Sequence, residues 1–271
     1  MSVLADLYQN CFYYVIAWAV IVGLVIGSFL NVLIIRLPMI EGLVKEDEEG
    51  DEKMLPLTLM GRSHCPHCGT EIPWKHNIPL LSWVLLRGKG ACCQKPIHWR
   101  YPVVELITSL ATVGMVVSFG LTEMAIFGVV LSSLFISLVV IDIDHMMLPD
   151  KLTGALLWGV LLASVMGVYG EPSQAVIGAC VGYGFLSFIA LVFKVLYGKD
   201  GVGGGDAKLL AGIGALAGAF AVPGVMLGAV ATFAFYAVAM GRFDKGAQYP
   251  FGPFIVLGYV MWIMFGPYYI Y

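Results

Sequence analysis

Apolar residues fall along this chain in long unbroken blocks, not in the alternation of a half-buried strand or the stripes of a surface helix. A helix needs about 20 apolar residues to cross a bilayer core. On that length the pattern predicts eight spans, at 12–35, 102–120, 124–142, 152–169, 174–196, 207–221, 223–240 and 251–269. Only Ala-Val-Pro-Gly at 221–224 divides the sixth block from the seventh. One long polar stretch, 36–101, interrupts the series after the first block. The fold class expected is an all-α polytopic membrane protein of about eight transmembrane helices, with a small Cys-containing domain inserted after the first. Its parts are a first helix (1–35), the insertion (36–101) and a helical core (102–271).

Composition agrees. Of 271 residues, 59% are hydrophobic and 12% charged, against roughly 45–50% and 25% in soluble domains. The 33 glycines suit membrane helices that pack closely through small residues. The first block has no Lys or Arg before it and is too long for a signal-peptide core, so it is expected to remain as a helix. The net charge of −3 says less than its placement. With eight spans, all 15 Lys and Arg fall on one set of loops: Arg36 to Arg100, Lys151, Lys194 to Lys208, and Arg242 with Lys245. Cationic loops stay in the cytoplasm. The insertion is therefore expected to be cytosolic and both termini periplasmic. Arg36, at the foot of the first span, reads as a positive anchor.

Within the insertion, residues 41–53 form an acidic run, read as a solvated loop. Cys65-Pro-His-Cys68 makes a knuckle followed by Gly69, and about 24 residues later stand Cys92 and Cys93. Two knuckles of this sort build a tetrahedral zinc site, in which four thiolates close a loop that has no core of its own. The second knuckle is irregular, because adjacent cysteines do not easily reach one ion from a hairpin. Cys65, Cys68 and Cys93 with a fourth ligand from Cys92, His67 or His98 is one arrangement. Reduced thiols are the other, and a disulfide is disfavoured in a reducing cytosol. Cys11 and Cys180 lie in apolar blocks and read as small core residues.

Carboxylates beside hydrocarbon are costly and usually functional. Asp142, Asp144 and Asp150 occur in VVIDIDHMMLPDKLTG (139–154), and Asp206 in GVGGGDAKL (201–209). All four fall on the cytosolic side. Glu105, one turn into the second span, is placed to reach the interface or Arg100. Two carboxylates in one partly dry site cannot both ionise easily, so one keeps its proton. The ionised member can then take a proton from water while the other donates to a carbonyl oxygen, which is the chemistry of an aspartyl protease. Gly203 and Gly205 would let backbone approach a substrate strand. The plainer reading makes Asp206 and Asp150 helix caps. A phosphate loop is excluded because no Gly-Lys-Ser or Gly-Lys-Thr follows. A transporter is disfavoured because the acids sit at one face and not at the midplane.

Together these motifs resemble the type IV prepilin peptidases, membrane aspartyl proteases of the Gly-x-Gly-Asp type. The resemblance covers nearly the whole chain: GSFLNVLIIRLP (27–38), CPHC (65–68), IPLLSWVLLRGK (78–89), PIHWRYPVVEL (96–106), IDIDHMMLPD (141–150) and GGGDAKLLAGIGA (203–215). It implies Asp142 and Asp206 as the catalytic pair, with Asp144, Asp150, Gly203, Gly205 and Lys208 in support. It implies structural zinc on Cys65, Cys68, Cys92 and Cys93, although Gly90 stands where the family has the first Cys of its second pair. The implied activity is cleavage of the leader of type IV prepilins and type II secretion pseudopilins, at the cytosolic face of a bacterial inner membrane. N-methylation from S-adenosylmethionine would follow. The partners implied are those substrates and the lipid bilayer, with no nucleic acid.

Overall fold

The computed structural model describes residues 11–43, 61–65, 67–198, 201, 203–241 and 249–266. The acidic run beyond residue 43, Arg242 and Lys245, the first ten residues and the last five lie outside these. Each apolar block folds as one helix: α1 (Phe12–Ile40), α3 (Arg100–Phe119), α4 (Glu123–His145), α5 (Asp150–Val165), α6 (Pro172–Tyr197), α7 (Gly204–Ala217), α8 (Ala221–Met240) and α9 (Gly252–Phe265). A five-residue helix, α2 (Leu81–Leu85), lies in the insertion. Among the described residues the only extended pairing is two isolated antiparallel bridges. The chain is thus all-helical, and α1, α3, α4, α6 and α8 are long and apolar enough to cross a membrane. The other three, α5, α7 and α9, have 16, 14 and 14 residues. At 1.5 Å per residue they reach about 24 and 21 Å, short of the roughly 30 Å of a bilayer core.

Two boundaries differ from the sequence expectation. Helix α1 continues to Ile40, with Pro38 inside its last turn. The break between the sixth and seventh blocks is not 221–224. Helix α7 ends at Gly218, whose φ of +80° suits a glycine terminator, and Ala221-Val-Pro-Gly forms the first turn of α8. A proline there lacks only an N–H that has no helical partner anyway.

Two compact units make up the chain, residues 1–137 and 138–271. In the first, α1 packs on α3 through glycines. A Cβ at Gly23 would lie 2.5 Å from Ser109 Cα, and one at Gly27 would lie 2.6 Å from Glu105 Cα. Such proximity lets polar groups cross between the helices. Ser109 Oγ donates to the Val20 carbonyl and Asn31 Nδ2 to the Tyr101 carbonyl, each at 3.1 Å. Arg36 is buried, not solvated as an anchor would be. It donates to the carbonyls of Gly61 (3.0 Å) and Arg62 (3.1 Å), tying the start of the Cys-bearing segment to α1. Buried Glu105 accepts the Leu80 N–H at 2.7 Å, just before α2.

In the second unit α7 is the central element. Nine of its residues between Ala207 and Leu216 are buried, against α5, α6, α8 and α9. A helix apolar and small on every side belongs inside a bundle. Backbones touch where α6 crosses it: a Cβ at Gly178 would lie 2.0 Å from the Gly214 carbonyl oxygen, and one at Gly182 2.4 Å from that of Leu210.

The α6–α7 crossing yields a direct contrast. Gly182→Ala must force two backbones apart, and overpacking of this kind costs about 1–3 kcal/mol. Gly184→Ala, two residues along the same helix with open space around it, should be neutral or stabilising by up to about 1 kcal/mol. Thermal unfolding of both variants in detergent is expected to show a lowered midpoint for the first alone.

Candidate functional site

The second unit brings together three helix ends. Asp142 lies near the end of α4 and is 4% exposed. Its Oδ2 accepts the N–H of Gly252, the first residue of α9, at 2.8 Å. Helix starts offer N–H groups without helical partners and a positive dipole end, and a carboxylate satisfies both. Asp206 is the third residue of α7, after Gly204 and Gly205. Its carboxylate folds back to accept the N–H of Gly203, the residue before the helix, and its own N–H donates to the Gly203 carbonyl at 3.1 Å. The charge of Asp142 acts on Asp206 across the site. Asp206 is therefore not the N-cap residue but one half of a reciprocal cap.

Leu148, in the short connection after α4, fills the space between these ends. A Cβ on Gly205 would lie 2.9 Å from Leu148 Cβ, and one on Gly252 would lie 3.5 Å from Leu148 Cδ2 and 2.8 Å from Asp142 Oδ2. A Cβ on Gly203 would lie 3.0 Å from Asp206 Oδ2. Of the glycines just before Asp206, Gly203 and Gly205 stand at close approaches within the site, whereas Gly204 has open space around it. Asp144 is exposed, as two steps along a helix turn a side chain about 200° away. Asp150 opens α5, after Pro149 at the cap position, and makes no capping bond. It pairs with Lys208 of α7 at 2.5 Å, an exposed ion pair that joins the starts of the two helices.

In the first unit the four cysteines converge, with all four Sγ atoms within 4.8 Å of one another. Cys65 and Cys93 Sγ are 3.6 Å apart, and Cys68 and Cys92 Sγ 3.3 Å apart. These separations far exceed a disulfide bond of about 2.05 Å. His67 and His98 are not part of the group; His98 stacks on Trp99 and accepts the Arg100 N–H. The two hairpins that carry the thiols are equivalent. In the first, Cys65 N–H bonds to Thr70 O, Gly69 N–H to Cys65 O, and His64 bridges Glu71. In the second, Gly90 N–H bonds to Lys95 O, Gln94 N–H to Gly90 O, and Lys89 bridges Pro96. Gly90 therefore occupies the position of Cys65, and Cys93 that of Cys68. A Cβ on Gly90 would lie 3.6 Å from Cys93 Sγ and 4.0 Å from Cys92 Sγ. Cys92 reaches into the space that a thiol at position 90 would take. Hydrogen bonds with Thr70 hold the Cys68 thiol down to about 6, and its bond with Cys68 pushes the Cys92 thiol up to about 12.

Gly252, Leu148, Arg36 and Glu105 were not anticipated as parts of these sites. Gly252-Pro253 marks a helix start, but no letter in the sequence tells where a backbone N–H will aim.

Two family models match the chain. The bacterial peptidase A24 N-terminal domain matches residues 21–119 and the type IV leader peptidase family residues 129–238. A prepilin leader peptidase/N-methyltransferase of Aeromonas hydrophila is 39% identical, covering 87% of this chain and 85% of its own length. The proteins of that name from Burkholderia pseudomallei (39% identical, 94% and 87%) and Neisseria gonorrhoeae (36%, 91% and 88%) are similar along comparable spans. The chain belongs to the type IV leader peptidase family. No solved structure matches it. Both carboxylates lie within the stretch matched by the leader peptidase model, and the cysteine cluster within the N-terminal one.

The contact between Gly252 and Asp142 generates an expectation for peptidase activity. A methyl group at 252 must displace the Asp142 carboxylate, and misplacement by about 1 Å can cost roughly a hundredfold in rate. Gly252→Ala is expected to lose about that much activity while thermal unfolding of the purified variant stays near the parent's.

Proposed function

We propose that this protein is a membrane aspartyl endopeptidase that removes the leader of type IV prepilins and pseudopilins. The observation that supports this most is that the helix ends carrying Asp142 and Asp206 meet around Leu148, each carboxylate held by a backbone N–H from a helix start. In the reaction, the ionised carboxylate of the pair takes a proton from water as the water attacks the scissile carbonyl. The protonated carboxyl donates to the carbonyl oxygen, and a proton then passes to the leaving amine. Helix starts hold the two carboxylates before substrate arrives, so little reorganisation is left for the transition state. The Asp150–Lys208 ion pair ties the start of α5 to that of α7 in support of the site, and exposed Asp144 is assigned no step of the reaction.

The working parts follow the sequence divisions: a first helix (1–35), the cysteine-bearing insertion (36–101) and the peptidase core (102–271). The carboxylates act at the cytosolic face of a bacterial inner membrane, with both termini periplasmic. The support is the placement of all 15 Lys and Arg on one set of loops. The basic leader of a prepilin is presented on that face. Methylation of the new N-terminus from S-adenosylmethionine comes to the chain from its relatives' activity, and no step of it is assigned to particular residues.

The cysteine cluster is suited to a structural zinc ion. Zn–S bonds of about 2.3 Å in a tetrahedron place sulfurs about 3.8 Å apart, close to the 3.3 and 3.6 Å seen between paired thiols. Cys65, Cys68, Cys92 and Cys93 would hold it, and the ion would tie the two hairpins together.

Two tests follow from these assignments. Asp142→Asn and Asp206→Asn should each abolish prepilin cleavage by purified enzyme, read by mass spectrometry, whereas Asp144→Asn should cut. Activity of the parent should fall at low pH, where both carboxyls are protonated, and again at high pH, where both are ionised. Cleavage by both Asn variants would leave Asp206 as a cap and nothing more. For the cysteines, elemental analysis is expected to find about one zinc per chain. Cys92→Ser should lose it, and adding Gly90→Cys to that variant should restore it; zinc retained by Cys92→Ser would exclude Cys92 as a ligand.

A further inference from the structure

The insertion exposes apolar side chains where a water-facing domain would hide them. Trp74 is 81% exposed, Leu85 72%, Trp99 64%, Val84 58% and Leu81 51%. Leu81, Val84 and Leu85 stand at i, i+3 and i+4 of α2 and share one face. Ser82, on the other side, is buried; its hydroxyl accepts the Ile78 N–H at 3.0 Å and donates to the Lys75 carbonyl at 3.3 Å. The inner side of α2 is thus fixed to the protein, and its outer side is a bare apolar strip.

Charge in this stretch is one-sided. Residues 72–104 contain Lys75, Arg87, Lys89, Lys95 and Arg100, and no Asp or Glu. Arg87 and Lys89, just past α2, are exposed. An apolar face flanked by cations and tryptophan is the composition of a segment lying in the headgroup layer of an anionic membrane.

The depth of α2 comes from a separate contact. The Leu80 N–H, immediately before α2, bonds to Glu105 at 2.7 Å, and Glu105 Cα lies against Gly27 of α1. Both α1 and α3 are membrane-crossing helices by length and composition. Helix α2 therefore begins level with the second turn of α3, where Leu106 (44% exposed) and Ile107 (48%) already face outward. A soluble partner would have to enter the headgroup layer to reach it.

We propose that residues 73–99 form an interfacial module, with Leu81, Val84, Leu85 and Trp74 dipped into the bilayer that α1 and α3 cross and Arg87 and Lys89 on anionic headgroups. The cysteine hairpins flank α2 on both sides in sequence, so this seating holds the cluster at the membrane surface.

The test uses the full chain in vesicles of phosphatidylcholine and phosphatidylglycerol. One variant keeps Trp74 and has the other five tryptophans changed to Phe; a second carries Leu85→Trp with all six changed. Lipids brominated near the head end of their chains should quench both emissions, and aqueous acrylamide should leave them largely intact. Quenching by acrylamide alone overturns the proposal, and so does protection from both agents, which would indicate a protein cover. Because many changed tryptophans can unfold the chain, a photoreactive phenylalanine at position 85 in otherwise unaltered protein gives a second reading. Irradiation should yield lipid adducts, more of them as phosphatidylglycerol increases. Adducts only within protein overturn the assignment to lipid, and a yield indifferent to phosphatidylglycerol overturns the role of Arg87 and Lys89.

Discussion

A carboxylate at the edge of hydrocarbon must obtain its hydrogen bonds from the protein, because few waters are there to supply them. That constraint organises the second unit. Asp142 and Asp206 each take a backbone N–H from the start of a helix, Gly252 for one and Gly203 for the other. Helix starts are economical donors, since their N–H groups lack intrahelical partners in any case. Two such starts can converge on one place only if nothing bulky stands between them. The residues at the junction are accordingly Gly203, Gly205 and Gly252, with Leu148 filling the remaining space.

The same demand for proximity extends away from the carboxylates. Helix α7 is seated on α6 through Gly178, Gly182 and Gly214, where backbone meets backbone. Lipid tails are as apolar as leucine, so helices in a membrane gain little by hiding leucine from them, and they associate through packing and polar contacts instead. A central helix of small residues, enclosed on all sides, makes a rigid platform for whatever its first turn carries. Here that turn carries Asp206.

Much of this was legible in the sequence, and the gaps have physical causes. The eight apolar blocks became eight helices because block length and composition report burial in lipid or in a bundle. They did not report which it would be, so the enclosure of α7 by its neighbours is seen only in the packing. The break at Gly218 was hidden because proline in a first helical turn, as at Pro223, resembles a turn in the letters alone. Asp142 and Asp144 were equally acidic on paper; only the packing of α4 turns one inward and the other out. Gly90 was seen to interrupt the second knuckle, but the ability of Cys92 to replace it depends on hairpin geometry that a spacing rule does not contain.

The position of Asp206 in its helix also separates two roles that its sequence context left joined. A capping aspartate sits before the helix and spends its oxygens on the N–H groups of the second or third residue. Asp206 sits at the third residue and accepts from the residue before the helix. That arrangement still satisfies a helix start, and it does so with the carboxylate already on the helix, directed to where the charge of Asp142 is felt. A cap alone would need neither the buried Asp142 nor the second glycine, Gly252, that makes room for its carboxylate. Glycine at 203 and at 252 leaves each carboxylate the room that a side chain there would take.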